Sequence, residues 1–240
     1  MPASAPALRL HAHADEHAFV QGVVSALLEA IASERRQLRA PLILLSGGST
    51  PVPVYRALAQ QVTDWSGITL GLVDERFLAP DAAGSNARLI RETLHDGVAA
   101  PAAFWPLADL VLGLQGSVDA ANARLLARAQ APSVVLLGMG DDGHTASLFP
   151  GSPDLLPALA SEHPYAGVNA SGCPGAGSWP QRISLTPIGW KAAQRRLLLI
   201  RGDAKRRLLE TALRERNVET LPVAAALALG DAPLEVHWCP

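Results

Sequence analysis

Only two cysteines, Cys173 and Cys239, occur in 240 residues. They stand in no metal-type spacing, and one optional pair is no disulfide framework, so a stapled secreted scaffold is excluded. Long apolar runs are lacking too. Stretches such as Leu42–Leu45 and Leu197–Ile200 are far too short to cross a bilayer. An excess of charge of one sign is also missing: Lys and Arg number 20 against 22 Asp and Glu, giving a formal net charge of −2 with the signs mixed along the chain. That leaves no basic block for nucleic acid or for an anionic membrane. Three catalytic signatures are absent. Without G-K-[ST], H-E-x-x-H or G-x-S-x-G, nothing points to a nucleoside triphosphate site, a zinc hydrolase or a nucleophile-elbow serine hydrolase. The opening residues Met1–Leu10 show neither the charged nor the apolar region of a signal peptide, so a cytoplasmic location is expected.

What is present is an alternation. Hydrophobic residues make up 49% of the chain, enough for a sizeable core. Strand-like runs fall at Leu8–Ala12, Leu42–Leu45, Ile68–Val73, Val134–Gly138, Ile183–Leu185, Leu197–Ile200 and Leu234–Trp238. Several are continuously apolar, as strands buried on both faces of a parallel sheet are. Between them, Asp15–Leu38 repeats Phe19, Val23, Leu27 and Ile31 at helical spacing, with Asp15 as the N-cap. Ser117–Ala129 and Asp203–Arg216 follow the same pattern. The expectation is one α/β domain over 1–240, a three-layer sandwich around a mostly parallel, Rossmann-like sheet. The stretch Asn169–Gln181 is rich in Gly, Pro and Ser and predicts a loop: either a tolerated surface insertion or a flap that lays Trp179 over a ligand. The high Ala, Arg and Leu content fits a GC-rich bacterial source.

In such folds ligands bind beyond the carboxyl ends of the strands, and three polar turns lie there. Ser46–Pro51 reads S-G-G-S-T-P. Gly47 and Gly48 allow close backbone approach, Ser49 and Thr50 offer hydroxyls, and the free amides of a following helix favour a phosphate dianion. Asp74–Arg76 reads D-E-R. Arg76 is suited to a bidentate phosphate contact and Asp74 to orienting it or binding a sugar hydroxyl, although an exposed ion pair is the plainer alternative. Gly84-Ser85-Asn86 looks like a helix cap, with Ser85 or Asn86 capping Ala87–Leu94. The third turn, Gly138–His144, carries one histidine on a glycine-rich path with Asp141 and Asp142 beside it. A short helix beginning at Thr145 is expected there, its dipole favouring a neutral imidazole able to act as a general base. The backbone amides of Gly140–Gly143 are candidate oxyanion donors. His11, His13, His17, His95, His163 and His237 have no comparable setting, and no Cys/His cluster announces a metal.

Together, L-S-G-G-S-T-P (Leu45–Pro51), V-D-E-R-F (Val73–Phe77), S-N-A-R (Ser85–Arg88) and L-L-G-M-G-D-D-G-H-T-A-S-L-F-P-G (Leu136–Gly151) resemble the 6-phosphogluconolactonase family. R-I-S-L-T (Arg182–Thr186) and R-G-D-A-K (Arg201–Lys205) continue the match. The resemblance implies the fold shared with the glucosamine-6-phosphate deaminases and ribose-5-phosphate isomerases. It implies hydrolysis of 6-phospho-D-glucono-1,5-lactone in the oxidative pentose phosphate pathway, with no metal and no organic cofactor. It makes His144 the general base, with Asp142 beside it, and Arg76 and Lys205 phosphate ligands. Arg182 is an additional candidate contact. The expected partner is a small sugar phosphate lactone, and the expected state is a monomer, with a dimer second. Two alternatives stand beside this one. A sugar-phosphate isomerase or deaminase would need a carboxylate where Ser147-Leu148-Phe149-Pro150 stands, and a non-catalytic sugar-phosphate sensor would not require His144.

Overall fold

The computed structural model describes residues 8–61, 64–228 and 232–240. The N-terminal stretch considered for a leader lies, through residue 7, outside them. Seven strands form one sheet, all pairs parallel: β1 (Arg9–Ala12), β2 (Leu42–Leu45), β3 (Thr69–Leu72), β5 (Ala103–Trp105), β6 (Val134–Gly138), β9 (Arg195–Arg201) and β10 (Leu234–Cys239). The spatial order is β1-β10-β9-β6-β2-β3-β5. Their apolar runs are the reason. All four residues of β2 are buried, as are Val134–Leu137 and Arg196–Ile200. Helices cover the sheet, giving the expected layered α/β architecture. In α1 (Glu16–Arg36), Asp15 caps the N-terminus by accepting from the Ala18 amide at 2.8 Å, and Phe19, Val23, Leu27 and Ile31 face inward. Each such side chain, fully buried, stabilises the fold by roughly 1.5–3 kcal/mol.

The order of the strands matters for function. From β2 the chain winds outward through β3 to β5. From β6 it winds the other way through β9 towards β10. The neighbours β2 and β6 are therefore the topological switch point, where the loops leaving the two strands part and open a crevice.

A second sheet departs from the sequence-based expectation. Asp74–Arg76 is not only a turn: it is a short strand, β4, antiparallel to β8 (Gln181–Leu185), which pairs in turn with β7 (Tyr165–Asn169). The run Ile183–Leu185 thus belongs to this small sheet and not to the parallel one. The backbone leaves the main sheet at Val73, whose carbonyl accepts from the Leu185 amide at 2.7 Å, and this contact turns the chain towards β8. Helix α4 (Gly113–Leu126) packs against β7 and β8. None of the described helices is long and apolar enough to cross a membrane.

Candidate active site

Four adjacent strands, β9, β6, β2 and β3, end at one cleft of about 230 Å³. The turn after β2 lines it with Ser46, Gly47, Gly48, Ser49 and Thr50, just ahead of helix α2 (Val52–Gln61). Gly48 has a φ of +89°, a conformation that suits glycine. Gly47 is needed for closeness, because a Cβ there would fall 2.0 Å from Asn86 Oδ1. The Ser46 hydroxyl is buried without a protein partner, on the wall of the cleft.

Across from this turn, β4 delivers Asp74 and Arg76. The Arg76 guanidinium is fixed before any ligand arrives. Nη1 donates to the Gly84 carbonyl at 2.5 Å and to Asn86 Oδ1 at 3.1 Å, and the Trp179 ring lies 5.6 Å away in a cation–π contact. Asp74 is buried and does not touch Arg76. It accepts from the Ser147 hydroxyl at 2.6 Å and from Asn86 Nδ2 at 3.3 Å. Between them sits Glu75, whose carboxylate accepts the amides of Arg76, Asn86 and Ala87 and the Ser85 hydroxyl. Burial pushes its carboxyl up. Ser85 caps helix α3 (Asn86–Ile90), whereas Asn86 is the first residue of that helix, and its side-chain amide ties Asp74 to Arg76 on the cleft wall.

The turn after β6 carries the histidine. His144 Nδ1 and Asp142 Oδ1 are 2.5 Å apart, and the same oxygen accepts the His144 amide at 3.1 Å. Burial alone would raise the Asp142 carboxyl, but the hydrogen bond and charge of His144 outweigh it and hold the group below the ordinary carboxylate range. With Nδ1 committed to the carboxylate, Nε2 is the ring nitrogen left for a ligand. The ring packs on Phe149 at 4.4 Å, and Phe149 carries the Arg182 guanidinium on its ring at 5.3 Å.

No helix begins at Thr145. Its hydroxyl bonds back to the Gly138 carbonyl, Ala146 takes a left-handed φ of 51°, and the Ser147 amide donates to the Ser184 hydroxyl. These side-chain bonds commit the segment to a turn, so the expected helix dipole does not act on His144 and Asp142 is what orients it. Nor are the Gly140 and Gly143 amides free oxyanion donors. They donate to the carbonyls of His144 and Gly140, holding the turn itself.

Lys205 reaches the cleft from the first turn of α7 (Asp203–Glu215), where Nζ donates to the Met139 carbonyl at 2.6 Å and lies 3.4 Å from the exposed Asp141. Arg182 also lines the cleft, but Nε and Nη2 are committed to the carbonyls of Trp179 and Ala176, both at 2.6 Å. It therefore braces the glycine-rich loop, and that loop runs beside the site. A Cβ at Gly175 would sit 2.5 Å from Asp142 Oδ2 and 3.0 Å from His144 Nδ1. Glu75, Asn86 and Gly175 were not singled out as site residues from sequence. The S-N-A-R block carried a signal for Asn86, whereas nothing local marked Gly175 out from its neighbouring glycines.

The family model described as glucosamine-6-phosphate isomerases/6-phosphogluconolactonase matches residues 14–238. A 6-phosphogluconolactonase of Xylella fastidiosa strain Temecula1 is 46% identical over 221 residues, 92% of each chain. One from Pseudomonas aeruginosa is 40% identical over 200 residues, covering 83% of this chain and 81% of that one. The crystal structure of a 6-phosphogluconolactonase from Shewanella baltica OS155 superposes with a TM-score of 0.86 at 30% identity, over 97% of this chain and 98% of that chain.

Proposed function

This chain belongs to the glucosamine-6-phosphate isomerase/6-phosphogluconolactonase family, and from that premise we propose that it hydrolyses 6-phospho-D-glucono-1,5-lactone to 6-phospho-D-gluconate in the oxidative pentose phosphate pathway. The observation that carries the reading is the Asp142–His144 pair, 2.5 Å apart, on the wall of a cleft that also holds Arg76 and Lys205. Asp142 keeps the proton on Nδ1, and Nε2 takes a proton from water as that water attacks C1. The tetrahedral intermediate collapses, the C1–O5 bond breaks, and the protonated imidazole returns its proton to the departing ring oxygen. A positioned base of this kind contributes about 10²–10⁴-fold in rate. The step draws on no metal and no organic cofactor.

The phosphate end supplies the positioning. Arg76 and Lys205, with the Ser46–Thr50 turn between β2 and α2, form the anchor for the 6-phosphate, with Gly47, Gly48, Ser49 and Thr50 approaching its oxygens and Arg182 holding the wall behind it. A held remote group orients the lactone carbonyl. Asp74 keeps Asn86 and Ser147 in line. Ser147-Leu148-Phe149-Pro150 offers no carboxylate where a sugar-phosphate deaminase needs one, which favours hydrolysis. We take the chain as one lactonase domain over 1–240 that acts as a monomer.

The test is a lactone hydrolysis assay that compares 6-phosphoglucono-1,5-lactone with glucono-1,5-lactone. Turnover of the phosphorylated lactone well above the spontaneous rate, with a clear kcat/KM preference over the unphosphorylated one, is expected. Equal kcat/KM for the two lactones would overturn the anchor, and a His144→Gln variant with near-normal turnover would overturn the base.

A further inference from the structure

Three histidines that seemed unrelated along the chain meet at the β1 edge of the main sheet. The parallel register sets His11 of β1 opposite His237 of β10. Strand alternation brings His13 and Glu235 to the same side. The rings of His11 and His237 stack at 4.6 Å, and His13 stacks on His237 at 5.2 Å. Outside the cleft, His11, Glu235 and His237 bring ligand atoms within 4.8 Å of one another, the one such group among the described residues.

We propose that His11, His237 and Glu235 form a binding site for a divalent transition metal of the zinc class, which clamps the edge strand β1 to β10. None of the three lines the catalytic cleft, so the ion would have no part in the reaction proposed above.

Unused lone pairs are the first support. His237 is 3% exposed, yet its Nε2 has no hydrogen-bond partner; the Nε2 of His11 makes no hydrogen bond either and lies 3.6 Å from Glu235 Oε2. Buried ring nitrogens normally find hydrogen-bond partners, so two that make none beside one carboxylate have the donor set that a cation takes. The second support is the outer shell. His237 Nδ1 lies 3.0 Å from His13 Nε2, and in the tautomer where Nδ1 donates to His13, Nε2 keeps its lone pair for a ligand.

Charge is compatible. Arg195 holds Glu235 with two bonds, at 2.8 and 2.6 Å, but it also pairs with Glu29 at 3.0 Å. Two carboxylates against one guanidinium leave the cluster negative. Two imidazoles and a carboxylate suit zinc, nickel or copper better than the harder cations. Tetrahedral zinc with bonds of about 2.0–2.2 Å needs ligand atoms roughly 3.3–3.6 Å apart. From their present spacing within 4.8 Å the ligand atoms must close by about 1 Å, and the stacked rings of His11 and His237 must turn apart for their lone pairs to converge on the ion. The His11 side chain, 42% exposed, gives the ion its way in.

The full-length protein, freed of metal with a chelator and titrated with zinc chloride, tests the site. One zinc per chain and a raised Tm are expected. His11→Gln should weaken zinc binding by about 10-fold or more while leaving lactone hydrolysis unchanged. His144→Gln should leave zinc binding intact. A wild-type chain that takes up no zinc at excess metal overturns the proposal, and so does zinc that His11→Gln binds as tightly as wild type. Loss of zinc in His144→Gln alone overturns it as well, because the metal then belongs to the cleft. None of these outcomes depends on lactone turnover, so the site and the reaction stand or fall separately.

Discussion

The cleft and the β1 edge each hold a histidine whose Nδ1 is engaged, and the engaging partner makes them different. In the cleft the partner is a carboxylate, Asp142, and the ring is partly open to solvent, with 22% of its side chain exposed. A negative neighbour stabilises the imidazolium that forms when Nε2 accepts a proton, so the ring is built to cycle. At the edge the partner is another imidazole, His13, and His237 is closed off. Burial, with His11 and His13 alongside, pushes its pKa down to about 3. That ring offers a lone pair but resists a proton. On the two proposals above, one side chain type serves as base or as ligand according to what stands behind its far nitrogen.

Substitutions can break this contrast. The largest effect is expected for His144→Gln, a fall in kcat of about 10²–10⁴-fold at unchanged fold, read by a pH-stat lactone assay and circular dichroism. Asp142→Asn keeps the ring but removes the charge that orients it, and kcat should drop by roughly 10–10²-fold, less than loss of the base itself. If the two variants were equal, the carboxylate would be doing more than holding the ring. Arg76→Ala sharpens the comparison from the anchor side. Loss of a charge-assisted contact of about 1.5–3 kcal/mol should raise KM for the phosphorylated lactone by about 10–100-fold with kcat little changed. Gly175→Ala adds a carbon 2.5 Å from Asp142 Oδ2, and the displaced pair should cost about 3–10-fold in kcat without a change in KM. Smallest of all, His11→Gln should leave kcat and KM where they were, since the edge cluster takes no part in the cleft.

The central sheet was legible except at its edge strand β5, because its other strands are short apolar runs with helices between them, whereas Ala103–Trp105 is only three residues, exposed or half-buried. β2 and β6 match Leu42–Leu45 and Val134–Gly138 residue for residue. The small sheet was not. β4 is three polar residues and Tyr165–Asn169 carries no alternating pattern, and their pairing depends on contacts far apart in the chain. The same limit hid the edge cluster, because His13 and His237 are 224 residues apart and only the β1–β10 register joins them. In the cleft, residues that touch ligand space sit in dense polar blocks and could be found. The expected helix after His144 was wrong for a local reason: Thr145 and Ser147 spend their hydroxyls on Gly138 and Asp74. Nothing in G-H-T-A-S reveals those partners, which come from β6 and β4.

The switch point has a consequence for how the molecule might be taken apart. The phosphate turn and Arg76 come from the half of the chain that precedes the segment between α4 and β6, and His144 and Lys205 come from the half that follows. The halves also dovetail, since β1 of the first lies beyond β10 of the second. A chain divided between α4 and β6 yields two fragments that split the proposed site: the first brings the Ser46–Thr50 turn and Arg76, and the second brings His144 together with Lys205, so neither holds the proposed phosphate anchor whole. Lactone turnover from the mixed pair would require β1 of the first fragment to find β10 of the second.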